Sequence, residues 1–378
     1  MHRRTNAGGC RIALHLTAVL LVLSLAGRRA HAEATEPGAN DDGTERTRTE
    51  PLPIVMYDTD VGVGYGAKLF LLNHLHHAES LDMVVFNSTK GQRWVRLLFS
   101  SPDFEDRQGE EYPLSLDLFA DYDARIKASF FGVGPAARQD DRETYRREAL
   151  DMSVTLGRGF SPSVVGQAAL RYRSVRHGDF GAGSHLRLLP PRQNAASASW
   201  ASLVLSLRRD TRDSFVNPTR GLVLQTDGEF APSLGANGPR FARFGAWVRG
   251  YVPFANSRVV LAMRAGLEGL TGDDLPVQAM LALGGAGTLR GFSQDRYLGR
   301  ARALANIEAR FPLFRRLGGV VAWDAGRVWS SVADASFRDW SMSPAVGLRY
   351  HLETFVVRLD VGMGSETTGV YFNFGQLY

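Results

Sequence analysis

Few residues in this sequence have the type and spacing that chemistry would need. The most distinctive run is Gly284-Gly285-Ala286-Gly287-Thr288-Leu289-Arg290-Gly291-Phe292. A glycine-rich loop that cradles phosphate needs Lys-Ser or Lys-Thr after its last glycine, and neither is present. His74, His76 and His77 could ligate a metal. No Cys accompanies them, however, and the segment around them reads as a polar turn, so no metal and no cofactor is expected. A membrane-embedded hydrolase would pair His with Ser two residues away on one strand face, but none of the six His after residue 32 has such a Ser. No Gly-x-Ser-x-Gly elbow is present either, so the chain is expected not to be an enzyme.

The 378 residues are 22% charged and 44% hydrophobic, with 40 Gly and one Cys. Residues 1–32 read as a secretory signal peptide: a basic start, a mostly apolar Ile12–Leu25, and small residues at Ala30 and Ala32 for cleavage after Ala32. The only thiol, Cys10, lies there, which excludes disulfides, thiolate metal sites and a cysteine nucleophile from the remainder. Five Arg and no acid also lie there, so the remainder carries 39 basic and 39 acidic residues. Its neutral balance gives no reason to expect nucleic-acid binding. Residues 33–50, rich in Asp, Glu, Thr, Gly and Pro, read as a disordered linker.

From residue 51 to 378 the pattern has period two. Val259, Leu261, Met263, Ala265 and Leu267 fall on one face, with Arg258 and Arg264 on the other. Phe355, Val357, Leu359, Val361 and Met363 alternate with Val356, Arg358, Asp360, Gly362 and Gly364. Sixteen such segments can be placed, beginning near Leu52, Gly64, Leu81, Arg93, Tyr112, Glu148, Val164, Trp200, Gly221, Arg240, Arg258, Arg302, Gly318, Ser343, Phe355 and Gly369. A soluble sandwich would show the same local alternation. Export, the missing cysteine, the even strand number and polar faces that mix Arg, Asp and Glu favour a transmembrane antiparallel β-barrel in the bacterial outer membrane, with its apolar face towards lipid. A closed barrel is required there because lipid offers no hydrogen-bond partner to a sheet edge.

Leu289-Arg290-Gly291-Phe292 is followed by Tyr297-Leu298-Gly299 and Asn306-Ile307-Glu308-Ala309-Arg310-Phe311-Pro312. Together they resemble the bacterial surface antigen family, the barrels of the BamA/TamA insertase superfamily. Asp210-Thr211-Arg212-Asp213 with Asn217-Pro218-Thr219-Arg220-Gly221, and Trp323-Asp324-Ala325-Gly326-Arg327-Val328-Trp329, extend the resemblance. Pro53-Ile54-Val55-Met56-Tyr57 with Gly62-Val63-Gly64-Tyr65-Gly66 resembles the opening hairpin of some members. In that family a long loop between the eleventh and twelfth strands folds into the lumen, and its arginine pairs with carboxylates on the next two strands. The resemblance implies that Arg290 pairs with Glu308 and Asp324, with Gly291 allowing a sharp turn and Phe292 packing in the tip. Parity allows this, because Glu308 opposes Ala305, Ile307 and Ala309, and Asp324 opposes Val321, Trp323 and Ala325.

The segment ending in Phe372-Asn373-Phe374-Gly375-Gln376-Leu377-Tyr378 resembles the C-terminal targeting signal of outer-membrane barrels, carried by Phe372, Asn373, Gly375 and Tyr378. Val370, Phe372, Phe374 and Tyr378 share one parity, as outward residues of a last strand would. Members of the superfamily carry periplasmic polypeptide-binding domains of ~75 residues before the barrel, whereas only residues 33–51 stand between the expected cleavage and the first strand. The resemblance implies protein or lipid assembly or translocation, with outer-membrane lipid, the barrel-assembly machinery and client proteins or lipids as partners. The seam between the first and last strands is the candidate lateral gate. A passive pore or a structural barrel is the alternative.

Overall fold

The computed structural model describes residues 47–190, 193–194, 196–232, 238–256, 258–273, 275–352 and 355–378. The expected signal peptide and residues 33–46 of the expected linker lie outside the described residues.

The chain begins with β1 (Arg48–Asp58), β2 (Gly62–Leu72), β3 (Ser80–Ser88) and β4 (Gln92–Ser101). Two long strands follow, β5 (Tyr112–Phe130) and β6 (Glu143–Ser161), then β7 (Val164–Gly178) and β8 (Ser197–Asp210). Next come β9 (Gly221–Ala231), β10 (Phe241–Phe254) and β11 (Val259–Thr271). A connector holds the short β12 (Leu281–Leu283) and β13 (Tyr297–Gly299). The chain ends with β14 (Ala301–Phe314), β15 (Leu317–Trp329), β16 (Ser341–His351), β17 (Val356–Met363) and β18 (Thr368–Phe374).

Sixteen strands, β1–β11 and β14–β18, close into one antiparallel barrel, while β12 and β13 form a separate hairpin. No helix among the described residues is long and apolar enough to cross a membrane. Closure pairs the backbone of every wall strand on both sides, as a sheet in lipid requires. The alternation then divides the two faces. Met152, Val154 and Leu156 on β6, Leu203, Leu205 and Leu207 on β8, and Val321 and Trp323 on β15 are exposed outside, whereas Ser202, Glu229 and Asp324 are buried inside. An exposed apolar outside around a polar inside is the inverse of a soluble sandwich.

Connectors of unequal length separate the two ends. Residues 131–142, 179–196, 272–300 and 330–340 lie at one end, and tight turns such as 162–163 and 315–316 lie at the other. Apolar packing sits inside the long-loop mouth, where the connector 272–300 enters. Trp200, Phe241 and Leu270 of the wall pack with Leu275, Ala279 and Leu281 of the connector. Phe130 and Tyr145 pack with Leu186, Val277 and Leu298. The connector is therefore part of the core.

The barrel starts earlier than residue 51. Arg48, Thr49 and Glu50 pair with Leu72, Leu71 and Phe70 of β2, because the hairpin ladder continues through polar residues once its register is set. Strands β5 and β6 each have 19 residues, about twice the ~9–11 that cross a membrane.

Candidate functional site

The connector 272–300 carries its tip across the lumen onto β14–β18. Two features let backbone approach backbone there. Gly291 has φ +85°, a conformation that suits glycine. A side chain on Gly291 would come within 2.3 Å of Gly364 N, and one on Gly362 would come within 2.5 Å of Arg290 Cβ.

Arg290 is 1% exposed, and Glu308 and Asp324 are 0% exposed, so their charges depend on one another. Arg290 donates from Nε to Asp324 Oδ2 at 2.7 Å and from Nη2 to Asp324 Oδ1 at 2.8 Å. Its Nη1 donates to Glu308 Oε1 at 2.9 Å, and its backbone N–H donates to Asp324 Oδ2 at 3.1 Å. The fork to Asp324 is bidentate, the strongest form of such a pair. Phe292 packs with Leu283, Leu289, Leu304 and Val328. Thus Arg290, Gly291, Phe292, Glu308 and Asp324 are gathered at one place.

The cluster extends beyond the residues read from the sequence. Arg310 Nε donates to Glu308 Oε2 at 2.9 Å, and Arg349 Nη2 lies 3.3 Å from Glu308 Oε1. Asp360 accepts from Arg349 Nη1 at 2.7 Å and lies 3.5 Å from Arg290 Nη1. Asn306 links the wall to the tip by donating to Asp324 Oδ1 at 2.7 Å and to Thr288 O at 2.9 Å. Parity was the available signal, since Arg349, Arg358 and Asp360 alternate with apolar residues in β16 and β17.

The tip also touches both sides of the barrel seam. Strands β1 and β18 pair at only two positions, Tyr57 with Phe372 and Asp58 with Tyr371. Beside them Thr59 N donates to Val370 O at 3.2 Å, and Val370 N donates to Thr59 Oγ1 at 2.8 Å. On the β18 side Gly291 N donates to Tyr371 Oη at 3.1 Å, and Thr367 Oγ1 donates to Gly291 O at 2.5 Å. Arg296 holds Glu366 through Nε and Nη2 at 2.6 and 2.7 Å. On the β1 side Gln294 N donates to Asp60 Oδ2 at 2.7 Å. One loop thus spans the shortest junction in the wall.

The residues of the expected targeting signal divide. Phe372 pairs with Tyr57 at the seam and Asn373 pairs with Arg358 of β17. Tyr378 does not face outward as parity required. The strand ends at Phe374, Gly375 takes φ +79°, and the chain turns into the lumen, where Tyr378 is 9% exposed against Tyr251 and Ala262. Its Oη donates to Ala262 O at 3.2 Å, and Arg310 Nη2 donates to its backbone oxygen at 3.2 Å. Parity holds only while a strand continues, and a glycine in the left-handed region ends it. His74, His76 and His77 lie in the connector between β2 and β3, and no group of three or more metal-ligating side chains is found among the described residues.

Residues 79–378 match the family described as Omp85 superfamily domain. No curated protein matches the sequence. Among solved structures, the fold is similar to BamA from Haemophilus ducreyi lacking POTRA domains 1-3, with TM-score 0.64 and 17% identity over 88% of this chain and 70% of that one. It is also similar to CdiB from Escherichia coli, with TM-score 0.61 and 15% identity over 88% of this chain and 67% of that one. CdiB from Acinetobacter baumannii gives TM-score 0.55 and 12% identity over 87% of this chain, which spans 65% of that relative's length. At these identities the structures speak for the fold, a closed barrel of the outer-membrane type. The family match covers most of the residues, and the chain belongs to the Omp85 superfamily.

Proposed function

We propose that this barrel resides in the bacterial outer membrane and acts there in the assembly or translocation of outer-membrane proteins or lipids, without enzymatic chemistry. The seam between β1 and β18 is the route, and the Arg290 loop sets whether that route is closed. The observation that carries this reading is a junction of two paired positions bridged by the loop tip. Similarity to BamA and CdiB supports it at the level of fold. Outer-membrane lipid is the surrounding partner, the barrel-assembly machinery acts during biogenesis, and client proteins or lipids pass the seam.

Tyr57 and Phe372 stand opposite each other, at a separation within the range a disulfide spans. Since the only natural cysteine is Cys10, Tyr57→Cys with Phe372→Cys gives a clean lock. Oxidation in a strain depleted of the parent protein is expected to deplete its client outer-membrane proteins or lipids, and reductant is expected to restore them. A locked barrel that supports a normal outer-membrane proteome and lipid content removes the seam from the mechanism. A second reading, a structural barrel that conducts little, is favoured by the loop filling the lumen. Negligible planar-bilayer conductance without an assembly phenotype on depletion would select it, and conductance without that phenotype would select a passive pore.

A further inference from the structure

Below the loop tip, at the short-turn end of the lumen, lies a cavity of about 450 Å³ that the Arg290 cluster does not use. Its basic wall is Arg212, Arg249 and Arg264, its apolar wall includes Phe215, Phe355 and Leu377, and no acidic side chain lines it among the described residues. Arg249 and Arg264 occupy directly paired positions on β10 and β11. Like charges placed opposite one another on one sheet face repel. Arg212 is matched by Asp210, which it meets at 2.7 Å. The other two are matched by neutral groups. Arg249 Nη2 reaches Gln225 Oε1 at 3.5 Å. Arg264 donates from Nε and Nη2 to Asn306 Oδ1 at 2.9 and 2.7 Å, and from Nη2 to Gly287 O at 2.9 Å. Neither has a carboxylate within 4.0 Å among the described residues.

The segment after β18 supplies a further wall of the cavity. Gln376 donates to Asn217 Oδ1 at 3.0 Å and accepts from Arg349 Nε at 3.2 Å. The Tyr378 ring lies 5.0 Å from the Arg264 guanidinium. The cavity thus carries two adjacent guanidiniums without a carboxylate in salt-bridge range among the described residues at one side, and aromatic and aliphatic surface at the other. The volume falls within the ~300–1,000 Å³ of small-ligand sites.

We propose that this cavity binds an amphiphile with an anionic head. The head, a phosphate or a carboxylate, bridges Arg249 and Arg264 through charge-assisted hydrogen bonds, and the acyl chain runs along Phe215, Phe355 and Leu377. The site is independent of the seam reading, since it is defined by binding and not by translocation.

The test is calorimetric titration of the folded full chain in a neutral maltoside detergent with dodecyl phosphate, laurate, inorganic phosphate and dodecanol. Saturable binding of dodecyl phosphate or laurate is expected. Arg249→Gln is expected to weaken it at least tenfold while the folded barrel keeps its mobility on semi-native gels, and adding Arg264→Gln is expected to abolish it. Preference for dodecyl phosphate assigns a phospholipid source, and preference for laurate a fatty-acid source. Absence of binding, undiminished binding by both variants, or equal binding of dodecanol overturns the proposal. Inorganic phosphate binding as tightly as dodecyl phosphate overturns the apolar half of the site.

Discussion

The β5–β6 boundary and the β1–β18 seam are opposite solutions to one problem, holding neighbouring strands together in a wall. Along β5 and β6 paired positions run from Tyr112 with Gly159 to Phe130 with Glu143, so a long backbone ladder secures the junction. At the seam the ladder has two paired positions, and the remaining ties come from Thr59, Tyr371, Asp60 and the loop tip. A ladder can be lost only by unfolding strands. A junction tied by side chains and a loop can be released by moving that loop. Local opening is drawn from regions with few such ties.

The contrast can be broken most severely at Arg290. Removing one member of a buried charge cluster costs ~3–5 kcal/mol because the remaining charges lose their partner. Arg290→Ala is expected to lower the heat resistance of the folded barrel on semi-native gels and to expose residues 272–300 to protease. An Arg290→Ala barrel as heat-resistant as the parent would refute the latch. Glu308→Gln, Asp324→Asn and Asp360→Asn should each give part of that loss. Combined with Arg290→Ala they should be less than additive, since all four side chains share one network. Strict additivity in thermal denaturation would show independent pairs.

A finer cut is Tyr371→Phe, which deletes the hydroxyl that accepts from Gly291 N. The cost is about 0.5–1.5 kcal/mol. Hydrogen exchange followed by mass spectrometry should show faster exchange at 57–60 and 368–372, with β5 and β6 unchanged. Equal acceleration around the whole wall would mean that Tyr371 supports global stability and not the seam. The smallest effect is expected from deleting residues 33–46, which have little apolar surface to offset ordering entropy. Folding yield into detergent should match the parent, and a lost yield would give that segment a structural role.

The wall was legible in the sequence because a barrel strand writes its environment at period two. Of the sixteen expected starts, all but Leu52 and Glu148 fall within three residues of an observed strand start. At Glu148 the preceding run Glu143–Arg147 sets Glu, Thr and two Arg around Tyr145, so alternation there carries little hydrophobic contrast. Arg290, Glu308 and Asp324 came from motif resemblance supported by parity. Arg310, Arg349 and Asp360 had the same parity, but nothing local says which luminal charges converge, because that depends on barrel curvature and on where the loop descends. The inward turn at Gly375 was hidden for a different reason: strand parity was extended past the glycine that ends it.

The unequal strands also bear on the bilayer. At ~3.3 Å per residue, the 19 residues of β5 run about 63 Å and the seven of β18 about 23 Å. With a tilt of ~40°, the wall at β18 stands only about 18 Å high, below the ~25 Å apolar band typical of such barrels. In a bilayer, hydrophobic mismatch of this kind is expected to compress the membrane on one side of the molecule, at a cost of fractions of a kcal/mol per Å. Acyl chains beside β18 are then expected to be shorter and less ordered than those beside β5 and β6, a thickness gradient in the lipid around the protein.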